Sequence, residues 1–177
     1  MAIEHLGKTE LAISNITRSV SAIFFVIANS FAVTTGSLVS NAIGAGGRKE
    51  LFPICHKVLK LGYAVGFPLV GIALLCNRWI VSFYTDNELL VELAFAPFVV
   101  MLLNYTFALP GYVYLNAVGG TGKTKITFMF QVVTTTCVYL VYLYWLSFCI
   151  DASLPLYLTA EYLFVILLAL QSIIYLK

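Results

Sequence analysis

The sequence predicts an all-α, polytopic membrane protein with five transmembrane helices. Hydrophobic residues make up 61% of its 177 residues and charged residues only 10%, whereas soluble domains contain about 25% charged residues. Several apolar segments exceed the roughly 20 residues that a helix needs to cross the bilayer hydrocarbon. They lack the polar face of a surface helix and are too long for a small soluble core. Lipid is therefore the expected surroundings of most of the chain.

Short polar breaks separate the predicted helices, and each break contains residues that commonly end helices. The helices are predicted at about 11–43, 58–84, 89–118, 126–150 and 154–176, with breaks at 44–50, 85–88, 119–125 and 151–153. No break is long enough to hold a soluble domain. Pro68 in the second helix, and Pro97 and Pro110 in the third, each remove a backbone donor and predict kinks.

Basic residues indicate how the helices are oriented in the membrane. Most of them fall in or beside the first and third breaks or at the C-terminus: Arg48, Lys49, Lys57, Lys60, Lys123, Lys125 and Lys177. Because cytoplasmic loops retain basic residues, we expect these places and the C-terminus to face the cytoplasm. Five spans then put the N-terminus outside. That is unusual for a chain without a recognisable signal peptide, so we expect a further helix before the first.

Several other function classes are not indicated. The four cysteines have no metal-ligand spacing, and the net charge of +2 is too small for a nucleic-acid surface. The segment Ala117–Thr124 is similar to a phosphate-binding loop, but it joins two membrane helices instead of following a strand. No paired catalytic carboxylates, Ser/His pair or His-rich motif occurs within the helices. We therefore expect no enzyme activity, no cofactor, no metal, no nucleotide and no nucleic-acid partner.

The first helix carries a stripe of polar or small residues at offsets that fit one helical face. Its members are Asn15, Arg18, Ala22, Asn29, Gly36 and Ser40. Burying a polar group without a partner costs a few kcal/mol in hydrocarbon, so this face is expected to meet protein or water. Two interpretations stay open. The stripe either provides hydrogen bonds between helices, with Arg18 reaching the outer interface, or it lines a wet cavity.

Glu161 lies about two turns inside the last predicted helix. An acidic residue within the membrane is a candidate functional site, and here it predicts a site for proton or cation coupling. The alternative is that Glu161 lies near the outer headgroups, or pairs with Arg18 or Arg78. Candidate residues for lining a substrate cavity are Asn15, Arg18, Asn29, Asn104, Tyr105, Gln131 and Tyr139.

Several motifs occur in an order that resembles a known family. They are Leu6-Gly7, Glu10–Ile16, Leu38–Gly46, Tyr84–Asp86 and the turn Gly119–Thr124. Together they resemble the C-terminal lobe of multidrug and toxic compound extrusion (MATE) transporters, and the resemblance covers essentially the whole chain. It implies a twelve-helix antiporter of two six-helix lobes, which exports amphipathic, often cationic drugs or other xenobiotics against a proton or sodium gradient.

The resemblance also implies partners and a location. Residues 1–177 would supply the last five helices of a six-helix lobe in a bacterial-type plasma (inner) membrane, with the missing N-terminal lobe or another copy as partner. Two departures stand out: Asn104–Gly111 has no acid where some members bind a cation, with Ala108 at that position, and glycine replaces arginine in the Gly119–Thr124 turn. The alternatives are a flippase for lipid-linked saccharides and a non-transporting membrane partner subunit.

Overall fold

The computed structural model describes residues 8–85, 87–142, 144 and 154–177. The regular structure in these ranges is entirely helical. It comprises α1 (Lys8–Gly44), α2 (Leu51–Leu75), α3 (Asn77–Ser82), α4 (Glu88–Leu93), α5 (Phe95–Leu103), α6 (Tyr105–Gly120), α7 (Thr124–Thr135) and α8 (Leu154–Leu176). A 3-10 turn at Arg48–Glu50 precedes α2, and a π-helical segment at Thr136–Tyr142 continues α7.

Five helical spans are long and apolar enough to cross a membrane. They are Leu11–Gly44, Arg48–Leu75, Glu88–Gly120, Thr124–Tyr142 and Leu158–Leu176. The predicted all-α, polytopic membrane fold is confirmed. Residues 143 and 145–150, with which the predicted fourth helix ends, and the predicted break at 151–153 lie outside the described residues.

The second span differs from the predicted helix at 58–84. α2 begins at Leu51 because Leu51, Cys55 and Val58 form a buried face, while His56 and Lys57 remain exposed. The hydropathy pattern located the helix too late, since it does not register an amphipathic first turn. The helix also ends earlier, at Leu75, and the short α3 follows after Cys76.

The third span is divided into three consecutive helices, although a single one was predicted at 89–118. α5 begins after a break at Ala94, and Pro97 lies in its first turn. Proline has no amide hydrogen to donate to the carbonyl four residues earlier, so the helix is interrupted there. A second break falls at Asn104, between α5 and α6.

Pro110 leaves a backbone acceptor in α6 that another helix satisfies. The carbonyl four residues before it belongs to Thr106, and the Tyr63 hydroxyl of α2 donates a hydrogen bond to this oxygen at 2.7 Å. A carbonyl left without a donor in hydrocarbon is costly, so this bond compensates for the proline. It also fastens α2 to the middle of α6.

We expect Tyr63→Phe to destabilise the fold. The substitution keeps the ring but removes the donor, and leaving a buried acceptor unsatisfied costs roughly 1–3 kcal/mol. Equilibrium unfolding in mixed detergent micelles measures the change in the free energy of unfolding. Tyr84→Phe, at an exposed tyrosine just beyond α3, is the matched control. Equal losses in both variants would contradict this role for Tyr63.

α6 is the central helix and packs against α1, α2, α7 and α8. Two glycines allow its backbone to approach its neighbours closely. A Cβ atom at Gly111 would lie 2.7 Å from the Val165 carbonyl oxygen of α8, and one at Gly120 would lie 2.5 Å from the Gly36 carbonyl oxygen of α1. Larger residues at either position would separate the helices that surround the cavity described next.

Candidate functional site

A cavity of about 270 Å³ lies between α1, α5, α6, α8 and the π-helical segment. Four polar side chains line it: Arg18, Ser21, Asn104 and Glu161. Its aromatic lining consists of Phe24, Phe25, Tyr105, Tyr112, Tyr139 and Phe164. The cavity therefore combines one positive and one negative side chain with several ring faces.

Glu161 on α8 contacts polar groups from two other parts of the chain, Arg18 on α1 and Asn104 in the break between α5 and α6. Its Oε1 atom lies 3.5 Å from Nη2 of Arg18 on α1. Its Oε2 atom accepts a hydrogen bond of 3.4 Å from Nδ2 of Asn104. Arg78 instead faces Glu92 at 4.0 Å. The sequence left two partners open for Glu161, Arg18 and Arg78. In the structure it pairs with Arg18.

The break between α5 and α6 positions Asn104. Its backbone amide donates to the Val100 carbonyl, and its own carbonyl accepts from the amide of Ala108 at 2.8 Å. The residue is 8% exposed, so its amide side chain is held by the surrounding helices. On α8, the Tyr162 hydroxyl donates to the same Val100 carbonyl. This bond anchors the residue next to Glu161 and fixes the distance between α5 and α8.

Tyr105 contributes its ring to the cavity while its hydroxyl is used elsewhere. The hydroxyl donates to the Gly62 carbonyl of α2 at 2.9 Å. The ring lies directly against Gly66, where a Cβ atom would overlap it. Tyr105 therefore provides a fixed apolar wall, and the aromatic edge of Phe24 packs on it with ring centroids 6.3 Å apart.

Tyr139 reaches the cavity from the π-helical segment. Three residues further along, the Tyr142 hydroxyl and the Thr159 hydroxyl are hydrogen-bonded at 2.9 Å, which ties the segment to α8. π-helical turns occur mostly as local insertions in α-helices and frequently lie at functional sites. The apolar pattern predicts a plain α-helix here. The β-branched run Val132–Thr136 is a local signal against it, since such residues have low helix propensity.

The predicted site residues divide into two groups. Arg18, Asn104, Tyr105, Tyr139 and Glu161 line the same cavity. Asn15 and Asn29 on α1 and Gln131 on α7 are exposed and do not line it. The aromatic residues Phe24, Phe25 and Phe164 were missed, because a phenylalanine that faces a cavity and one that faces lipid look alike in a sequence.

The polar stripe of α1 continues beyond the cavity along an exposed face. The hydroxyls of Ser19, Ser30 and Thr34 each donate to a carbonyl one turn earlier in the same helix. The amide side chains of Asn15 and Asn29 are exposed as well. Because the three hydroxyls are satisfied within the helix, the two amides are the groups poorly suited to hydrocarbon.

The chemistry available in the cavity is that of charge binding. A carboxylate beside ring faces can hold an organic cation, since cations are attracted to both. Within the described ranges, no cluster of three His, Cys, Asp or Glu side chains is arranged to hold a metal ion.

Comparison with known proteins gives one match. The MatE family model matches residues 1–145, which is more than half of the chain and includes Arg18, Asn104 and Tyr139, while Glu161 lies beyond the matched region. No curated protein and no solved structure matches the chain. MatE proteins are membrane transporters, in agreement with the five spans. The chain therefore belongs to the MATE family and is a multi-pass membrane protein.

Proposed function

We propose that this protein is the C-terminal lobe of a cation-coupled antiporter that exports amphipathic, cationic drugs or other xenobiotics. Glu161 is the carboxylate that the coupling ion and the substrate occupy in turn. The observation that carries the proposal is the position of this carboxylate, in a cavity walled by aromatic rings between helices long and apolar enough to cross a membrane.

The charges of the cavity support an exchange of one cation for another. Glu161 and Arg18 together make the empty cavity neutral. A proton on Glu161 adds one positive charge, and so does a monovalent organic cation beside it. Because a second excess positive charge in a low-dielectric site is costly, the proton and the organic cation are expected to exclude one another. Mutual exclusion at one carboxylate is what antiport with a ratio of one to one requires.

A proton suits this site better than sodium as the coupling ion. Hard metal cations are held by several oxygen ligands. Among the residues that the structure describes, Glu161 is the one carboxylate that lines the cavity. A proton requires no further ligands, and a single carboxylate can carry it.

The exposed stripe of α1 supports a partner lobe. The exposed amides of Asn15 and Asn29 would be costly in lipid. They are satisfied if a second helical lobe, or another copy of the chain, faces α1 across a water-filled path. The distribution of basic residues favours a cytoplasmic C-terminus, and we propose a bacterial-type plasma membrane as the location. The cavity then lies toward the outer ends of α1 and α8.

Transport in liposomes tests the function. The chain is reconstituted alone and together with a MATE N-terminal lobe supplied as a second polypeptide, and uptake of benzyltrimethylammonium is followed under an imposed pH or sodium gradient. We expect uptake that requires both lobes and the pH gradient and that stops when nigericin dissipates it. Absence of gradient-driven uptake in every combination would reject the proposal. Movement of a lipid-linked saccharide instead would favour a flippase.

A further inference from the structure

Arg18 forms an ion pair with Glu161, the carboxylate to which a cationic substrate would bind. Its Nη2 atom lies 3.5 Å from Oε1 of Glu161, and both side chains line the cavity. The other carboxylate oxygen is held by Asn104, which is buried. The guanidinium therefore covers the carboxylate oxygen that Asn104 does not hold, and a cation that binds at this oxygen has to replace it.

The guanidinium is also the more exposed member of the pair. The Arg18 side chain is 55% exposed, whereas that of Glu161 is 32% exposed. Arginine has a long apolar stem and can move its charged end toward water while the stem stays packed. Asn104 keeps Glu161 in place, so separating the pair means moving Arg18.

We propose that Arg18 acts as a resident cation, which pairs with Glu161 in the empty cavity and is displaced when a cationic substrate binds. This inference rests on the proposed function, because it assumes that substrates bind at Glu161. Arg18 is then a positioning and specificity-determining residue. It keeps the carboxylate paired between transport cycles, and it lowers the affinity for any cation that competes poorly with a guanidinium.

Binding of benzyltrimethylammonium to the purified full chain in detergent micelles tests the proposal. This probe has a fixed charge, so its protonation does not vary with pH. We expect Arg18→Gln to tighten binding roughly two- to fivefold, the range expected when a partly exposed ion pair no longer competes. Arg18→Lys, whose side chain is one bond shorter, is expected to bind with intermediate affinity. Arg78→Gln removes an arginine outside the cavity and should leave the affinity unchanged.

Glu161→Gln separates failure of this inference from failure of the proposed function. Unaltered binding in Glu161→Gln would show that the cation binds elsewhere and would reject both. Loss of binding in Glu161→Gln, combined with equal or weaker binding in Arg18→Gln, would overturn the role of Arg18 alone.

A second measurement uses the unmodified sequence and does not depend on the folding of a variant. Phenylglyoxal reacts with accessible arginine side chains, and peptide mass spectrometry separates Arg18 from Arg78. We expect saturating benzyltrimethylammonium to increase the modification rate of Arg18 about twofold relative to Arg78, since displacement converts a half-exposed side chain into an exposed one. An unchanged or reduced relative rate would overturn the proposal.

Discussion

Glu161→Gln is expected to abolish the proton-driven part of cation uptake, so that total uptake falls to the level measured without a pH gradient. Glutamine has nearly the same shape and can still accept a hydrogen bond from Asn104, but it neither carries a charge nor exchanges a proton. Without a group that alternates between proton and substrate, the two fluxes are no longer coupled. The measurement is benzyltrimethylammonium uptake as a function of the imposed pH gradient, in the two-lobe liposomes described above.

Two further variants serve as controls for Glu161→Gln. Glu161→Asp retains a titratable carboxylate and should keep the pH dependence, with weaker binding because the side chain is one methylene shorter. Glu92→Gln removes an acid whose side chain is 75% exposed and pairs with Arg78, and it should behave like the unmodified chain. The fold should survive in all three, since losing a half-exposed ion pair costs only about 1 kcal/mol or less. Unchanged pH-dependent uptake in Glu161→Gln would contradict the proposed role of Glu161 in coupling.

Gly111→Val is expected to be among the most destabilising single substitutions in the chain. The new Cβ atom would lie 2.7 Å from the Val165 carbonyl oxygen, and a backbone atom of α8 cannot rotate out of the way. The helices must move apart, and overpacking of this kind costs roughly 1–3 kcal/mol, occasionally more. Equilibrium unfolding in mixed micelles measures the loss, and cation binding should weaken too, because Glu161 lies one turn from Val165 on α8.

Gly71→Val in α2 is the matched control. A Cβ atom there would have no neighbour within 4 Å, so the substitution adds volume to a helix without forcing helices apart. Its effect is expected to be small, since an ordinary residue differs from glycine by less than about 1 kcal/mol in helix propensity. If both variants lost the same stability, the close approach of α6 to α8 would not be the cause.

The course of the chain through the membrane was largely predictable, and the exceptions have physical causes. Runs of apolar residues identified the five spans, because crossing hydrocarbon restricts composition strongly. The start of α2 at Leu51 was not predicted. Its first turns combine buried residues with the exposed His56 and Lys57, which lower the hydropathy of the segment. The prolines indicated interruptions in the third span, and a break does precede Pro97. α6 nevertheless continues through Pro110, where the Tyr63 hydroxyl of another helix satisfies the Thr106 carbonyl.

The candidate site was predictable only through its polar members. Glu161 and Arg18 stood out because charges inside spans are rare, and their pairing was one of the alternatives considered. The position of Asn104 beside them required knowledge of how α5 and α6 pack against α8. Phe24, Phe25 and Phe164 carried no distinguishing signal, because hydropathy describes how apolar a residue is and not what it faces.

The π-helical segment at Thr136–Tyr142 has a consequence for how the chain tolerates changes in length. A π-helical turn holds one residue more than an α-helical turn, so it corresponds to a single-residue insertion that the fourth span has absorbed. Removing one residue from this segment would let an unbroken α-helix form with little net rotation across it, because the wider turn takes up the extra residue locally. Removing a residue from Thr124–Thr135, which is already α-helical, would instead rotate the helix by about 100°. Tyr139 lies inside the π-helical segment, so a deletion there would change its direction toward the cavity.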